Sequence, residues 1–265
     1  MQDDKQISKW NITEKRFIVY LDILGFKDRV MRESHDKLYN DLVKIPISED
    51  ILNSILDKKS IKTVFGDVGI HYVKFSDSII IFSKNDTIES FIMFLIVTRF
   101  VFGSILKKNF LVKGGMAYGT ISLDKENQVY FGQPLIDAYL LEEDVNYIGI
   151  VAHNSIDEFK QNIKGDDKKI CAILNQLIFE GKSHLKSGLI THLNLNWFSQ
   201  LIGNDNLSDK TEDEIKNEII KQLKKYYLSV SGSPRRYIDN TIECINNKNN
   251  MIDFNKISLT HKFTP

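Results

Sequence analysis

The chain has 265 residues and a mass of 30.6 kDa, with 42% apolar and 26% charged residues, a globular composition that can bury a core and is too apolar for general disorder. Its 35 Lys and Arg balance 35 Asp and Glu, so the basic excess of a non-specific nucleic-acid binder is missing. Two distant cysteines, Cys171 and Cys244, have no zinc or disulfide spacing and fit a reduced cytoplasmic setting, and the polar start Met1 to Gln6 lacks the apolar segment of a signal peptide.

In chain order, residues 1–14 are polar and expected to be a flexible N-terminus. Residues 15–265 are expected to form a single domain, with a core over about 15–153 and a C-terminal completion over about 154–265. Arg16 to Leu21 is continuously apolar after its first residue, the pattern of a strand buried on both faces. Looser, helix-like spacing follows from Phe26 to about Leu56. Val68 to Tyr72 and Ile79 to Phe82 predict a hairpin with Asp77 near its tip. Thr87 and Glu89 open an apolar helix running to about Lys108. Phe91 to Leu106 is greasy but interrupted by Thr98, Arg99, Gly103 and Ser104, and it is short for a bilayer span, so it reads as a buried helix with no membrane partner.

Phe110 to Ile121 predicts the next strand. Residues 16–121 therefore read β-α-β-β-α-β, the ferredoxin-like pattern of an α+β fold with a central, mostly antiparallel sheet. A short strand at 129–132, a helix from Pro134 to Glu143 and a strand at 148–151 follow. The C-terminal extension is expected to be helical, with a strand region from His184 to Leu195, a charged helix from Asp209 to Tyr227 and a last helix after Ser233-Pro234.

Two acids stand out. Asp22 and Asp77 each border a very apolar strand, where an ionised carboxylate needs something to offset its desolvation. In this topology the first strand and the hairpin are neighbours, so the two carboxylates can converge and a divalent cation would relieve their repulsion. Leu24-Gly25-Phe26 opens a helix directly after Asp22, and its amides could hold phosphate oxygens. Taken singly, each motif reads better as a capped turn or a hairpin tip. Their pairing beside buried strands favours the site.

The chain resembles a class III nucleotidyl cyclase catalytic domain. Phe17 to Phe26 is similar to the first metal motif φ-φ-D-I-x-G-F, and Lys74 to Phe82 to the second, G-D-S/A-φ-φ-φ-F, with Ser76 in place of Gly. Val112 to Gly119 is similar to R-x-G-I-x-x-G, and Phe131 to Glu142 to W-G-x-x-V-N-x-A-x-R-φ-E. The departures point to a branch. The positions of the transition-state Asn and Arg hold Ile136 and Leu140, and that of the purine-selecting Lys falls near Val73, with Lys74 one place off. With Gly132, Leu135, Ala138, Tyr139, Leu141 and Glu142, and with Arg235 to Thr241 near the end, the chain resembles the pyrimidine cyclases of bacterial Pycsar anti-phage defence.

That resemblance implies conversion of UTP or CTP to the 3′,5′-cyclic monophosphate and pyrophosphate. It implies two Mn²⁺ or Mg²⁺ ions per site on Asp22, Asp77 and the Ile23 carbonyl. It also implies a head-to-tail homodimer and a product that acts on a separately encoded effector. Lys113 is a candidate phosphate contact, against a solvated strand lysine. Tyr139 is a candidate wall of the base pocket, against a core tyrosine. Gly114 and Gly115 read as close-packing positions, and Arg236 and Tyr237 as surface-helix residues. The competing functions are a purine cyclase, an inactive nucleotide-sensing module and a plain scaffold.

Overall fold

The computed structural model describes residues 10–45, 66, 68–163, 168–202, 210–228, 230 and 232–254. The chain opens with β1 (Thr13–Ile23), α1 (Phe26–Arg32) and α2 (His35–Val43). It continues through the hairpin β2 (Ile70–Phe75) and β3 (Ser78–Ser83), helix α3 (Ile88–Lys107) and strand β4 (Val112–Asp124). The helical spacing expected to reach Leu56 ends within the described residues at Val43, and positions 46–65 lie outside them. The strand order β2-β3-β1-β4 and its antiparallel pairings are those of a ferredoxin-like core. The N-terminal reading is corrected at its end: Thr13 and Glu14 already pair with β4, and Trp10 lies beneath the Arg16 guanidinium, 5.1 Å from ring to charge.

Strand alternation divides β1 between two faces. Phe17, Val19, Leu21 and Ile23 enter the main core with α3. The helix α3 is long and apolar enough to cross a membrane by composition, but 72% of its apolar window is buried inside the fold. Its start is set by Thr87, whose hydroxyl accepts the Ser90 N–H at 3.2 Å. The other face carries Arg16, Ile18, Tyr20 and Asp22. On this side Ile18 packs in a smaller cluster with Phe82, Ala117, Ile121 and Ala138.

The chain continues through β5 (Val129–Phe131), α4 (Gln133–Asp144), β6 (Ile150–Ala152), α5 (Asn154–Gln161) and α6 (Lys168–Leu177). The hairpin β7 (Ile178–Leu185) and β8 (Gly188–Leu195) follows, then α7 (Glu212–Lys225) and α8 (Ser233–Asn246). The C-terminal extension is therefore not only helical. Its hairpin joins the same sheet, giving the order β2-β3-β1-β4-β6-β8-β7 with β5 beside β4. The expected strand region from His184 to Leu195 is two strands, and the first begins at Ile178. Polar residues hid it: Ser183 is fully buried, but its hydroxyl donates to Asn194 Oδ1 at 2.7 Å.

Candidate functional site

Asp22 lies one residue before the end of β1, in register with Ser78 of β3 on one side and Lys113 of β4 on the other. Beyond it, the Ile23 N–H donates to the Asp77 carbonyl at 3.0 Å. That bond holds the β2–β3 turn, where Ser76 has a left-handed φ of 55°, against the end of β1. The two aspartates expected to converge are thus brought to one corner of the sheet. Burial raises the Asp22 carboxyl above its ordinary value, the Asp77 charge raises it further, and Lys113 opposes both.

The amides after Asp22 are not equivalent. Leu24 N–H donates to the Leu111 carbonyl at 2.8 Å, so it is not available to a phosphate. Gly25 adopts a left-handed φ of 72° and opens α1, its carbonyl accepting from Arg29 N–H at 3.2 Å. Phe26 begins α1 and is buried.

Lys113 is neither solvated nor open. It is 5% exposed, and its ammonium lies 3.0 Å from Glu142 Oε1, 2.8 Å from the Glu142 carbonyl and 3.4 Å from the Glu143 carbonyl. An ammonium has three hydrogens, and all three have acceptors here. Burial pushes the Glu142 carboxyl up to about 7, with Lys113 opposing. The strand and helix meet so closely because of Gly115: a Cβ there would come 2.3 Å from the Ala138 carbonyl and 2.8 Å from Glu142 N. Gly115 therefore acts through packing, as its sequence context suggested.

Above Asp22 lies a polar cavity of about 220 Å³ lined by Tyr20, Asp22, Lys113, Tyr139, Glu142, Glu143 and Lys186. The Tyr20 hydroxyl is bonded to Ser78 Oγ at 2.7 Å, and the Tyr139 ring meets Tyr20 edge-on at 5.3 Å. Tyr139 is 39% exposed, a cavity wall and not a core residue. Further along α4, Ile136 and Leu140 are exposed by 52% and 56%, so the two apolar substitutions face outward. The register places Val73 on the same face of the sheet as Ile80 and Tyr20. The Lys74 ammonium is engaged by the Leu42 carbonyl at 2.8 Å.

Sequence reasoning missed Lys186. It is exposed at the β7–β8 turn and forms no ion pair among the described residues. A turn inside a misread strand gave no signal of a cavity contact. Tyr237 of α8, read as a surface residue, is half-buried and within electrostatic reach of Lys186, Glu142, Asp22 and Arg236. Among the described residues no group of three or more His, Cys, Asp or Glu gathers around one point. A cation at Asp22 and Asp77 would need further oxygens from the main chain, water or a ligand.

No family model and no curated protein sequence matches the chain. The solved structures that are similar include two described as a bacterial light-regulated adenylyl cyclase. They align with TM-scores of 0.45 and 0.40, at 11% identity in both cases, over 79% of this chain. The aligned part spans 57% of the length of each.

Proposed function

We propose that this chain is a nucleotidyl cyclase that joins the ribose 3′-oxygen of UTP or CTP to its own α-phosphorus and releases pyrophosphate. The observation that carries the reading is the placement of Asp22 and Asp77 at neighbouring strand ends, tied by the Ile23 N–H to Asp77 carbonyl bond, with Asp22 lining a polar cavity. Their residue types fit a hard divalent cation, since Asp22 is raised by burial and by Asp77, and a nearby cation would relieve both effects. Asp22, Asp77 and the Ile23 carbonyl would hold two Mg²⁺ or Mn²⁺ ions. When bound, such ions acidify the attacking hydroxyl and neutralise charge on the leaving pyrophosphate.

The protein's own groups position the substrate. The reaction is intramolecular, so holding the ribose and phosphates in line supplies much of the rate. The amides of Gly25 and Phe26, at the start of α1, would meet the phosphates, while that of Leu24 keeps the loop on β4. Lys113, first considered a phosphate contact, serves by fixing α4 beside Asp22. Lys186, with its ammonium unpaired among the described residues, provides the phosphate-facing charge.

A pyrimidine substrate is supported by what the site lacks. Val73 stands on the nucleotide side of the sheet where a purine-selecting lysine would be expected, and Lys74 is occupied by the Leu42 carbonyl. Tyr139 narrows the cavity from the α4 side. The exposed apolar side chains Phe75, Ile136 and Leu140 suit a head-to-tail homodimer. In this reading the product is a cytoplasmic signal of anti-phage defence that acts on a separate effector.

The test incubates purified protein with Mn²⁺ and each of the four ribonucleoside triphosphates, with products identified by mass spectrometry. Cyclic UMP or CMP, absent with Asp22→Ala and Asp77→Ala, is the expected result. Cyclic AMP or GMP would overturn the pyrimidine assignment and keep the reaction. Activity retained in either aspartate variant would overturn the site.

A further inference from the structure

Residues 186–190 are all exposed, so the turn that carries Lys186 has no core of its own. Three hydrogen bonds join it to Asp144, the last residue of α4. Lys186 N–H donates to the Asp144 carbonyl at 2.7 Å, Ser187 N–H to Oδ1 at 3.2 Å and the Ser187 hydroxyl to Oδ2 at 2.8 Å. The contact continues along the chain: Asn146 N–H donates to the His184 carbonyl at 2.8 Å, and Val145 bridges Leu185. The carboxylate is thus engaged by Ser187 and forms no ion pair with the Lys186 ammonium, which lines the cavity.

On its other side the same end of α4 is fixed by Lys113, through the carbonyls of Glu142 and Glu143. The last turn of α4 is therefore a junction. Beneath it lies Lys113, in register with Asp22, and beside it lies the turn bearing Lys186. A lysine on an untethered turn loses backbone and side-chain freedom each time it meets a ligand. One on a tethered turn has lost much of it already.

We propose that Asp144 is a positioning residue that holds Lys186 over the cavity, so that its ammonium meets the phosphates of the substrate. Asp144 touches neither substrate nor metal in this assignment, which rests on the nucleotidyl cyclase reading. Its effect passes wholly through Lys186, and that makes it separable from a merely structural role. Removing Asp144 should weaken phosphate recognition only while Lys186 is present.

The experiment compares wild type, Asp144→Ala, Asp144→Asn, Lys186→Ala and the Asp144→Ala/Lys186→Ala double variant. KM and kcat are measured with UTP and Mn²⁺. Losing one charge-assisted contact corresponds to about a tenfold change. Lys186→Ala should raise KM about tenfold. Asp144→Ala, which keeps the Lys186 N–H to residue-144 carbonyl bond and loses the two bonds to Ser187, should raise it by a smaller factor, and the double variant should be no worse than Lys186→Ala. Asp144→Asn keeps one acceptor oxygen for Ser187 and should restore part of the loss. An unchanged KM in Asp144→Ala, or additive losses in the double variant, would overturn the proposal while leaving the cyclase reading intact. If wild type turns over no triphosphate, the cyclase reading fails, and the same variants are titrated with inorganic pyrophosphate by calorimetry. Binding weakened by Asp144→Ala only in the presence of Lys186 would then support the positioning role, and absence of binding to wild type would overturn it.

Discussion

The Lys113–Glu142 pair gives the fold a pH dependence whose direction follows from burial. The Glu142 carboxyl rises from an ordinary 4.5 to about 7. A carboxyl raised by folding binds its proton more tightly in the folded than in the unfolded chain. Its stabilising contribution is complete below 4.5, is lost as pH rises to about 7, and is constant above that. Each unit is worth about 1.4 kcal/mol, so the span from 4.5 to about 7 amounts to roughly 3 kcal/mol. Glu142→Gln keeps the shape and cannot titrate. In both proteins the Lys113 ammonium keeps its two backbone acceptors, so the comparison isolates the carboxyl. Urea unfolding followed by circular dichroism at pH 5 and pH 8 should show wild type losing roughly 2 to 3 kcal/mol more than the variant on going to pH 8. A constant difference would refute the burial argument. A wild type that gains relative to the variant would show that attraction to Lys113 outweighs desolvation.

Two further changes probe the same corner. Gly115→Ala places a methyl group against the Ala138 carbonyl and Glu142 N. It should cost about 1–3 kcal/mol, read as a lower Tm, and an unchanged Tm would contradict the close approach of α4. Asp77→Asn removes the neighbouring charge that raises Asp22, so the Asp22 carboxyl should titrate at lower pH, measured by ¹³C NMR. A shift upward, or none, would show that the two carboxylates do not interact.

The core was legible where side-chain pattern and burial coincide. Phe17 to Leu21 and Ile79 to Phe82 form central strands flanked on both sides, so their near-continuous apolar runs identify them. Asp22 and Asp77 were legible for the converse reason, as acids where such strands end. The hairpin β7–β8 was harder. It places Glu180 and Lys182 outward and buries Ser183 against Asn194, so its alternation is between polar and small residues. Lys186 followed from that miss, because its meaning depends on where Asp144 holds the turn, a contact 42 residues apart in sequence that local spacing does not encode. Lys113 was read as a phosphate contact or a solvated strand lysine, not as a paired one. Its partner Glu142 lies on α4, and only Gly115 lets that helix come close enough.

The charges around the cavity also dictate how its ligands must cooperate. In the cyclase reading, Lys113 is tied to Glu142 and to two backbone carbonyls, so that Asp22 and Asp77 would face an incoming ligand and Lys186 would attract it. A triphosphate alone would bring several negative charges toward two carboxylates, and a divalent cation alone would find no group of three or more Asp, Glu, His or Cys among the described residues. On that reading each would make the other's binding more favourable, and the coupling would be reciprocal. This yields a change of sign that few other arrangements would give. In EDTA, Asp22→Asn should bind UTP more tightly than wild type, because a repulsion has been removed. With Mn²⁺ the same variant should bind UTP more weakly, because a ligand for the ion has been removed. Isothermal titration under the two conditions reads both. Weaker binding in both would mean that Asp22 contacts the nucleotide as a hydrogen-bond acceptor, and no change in either would place the triphosphate away from the end of β1.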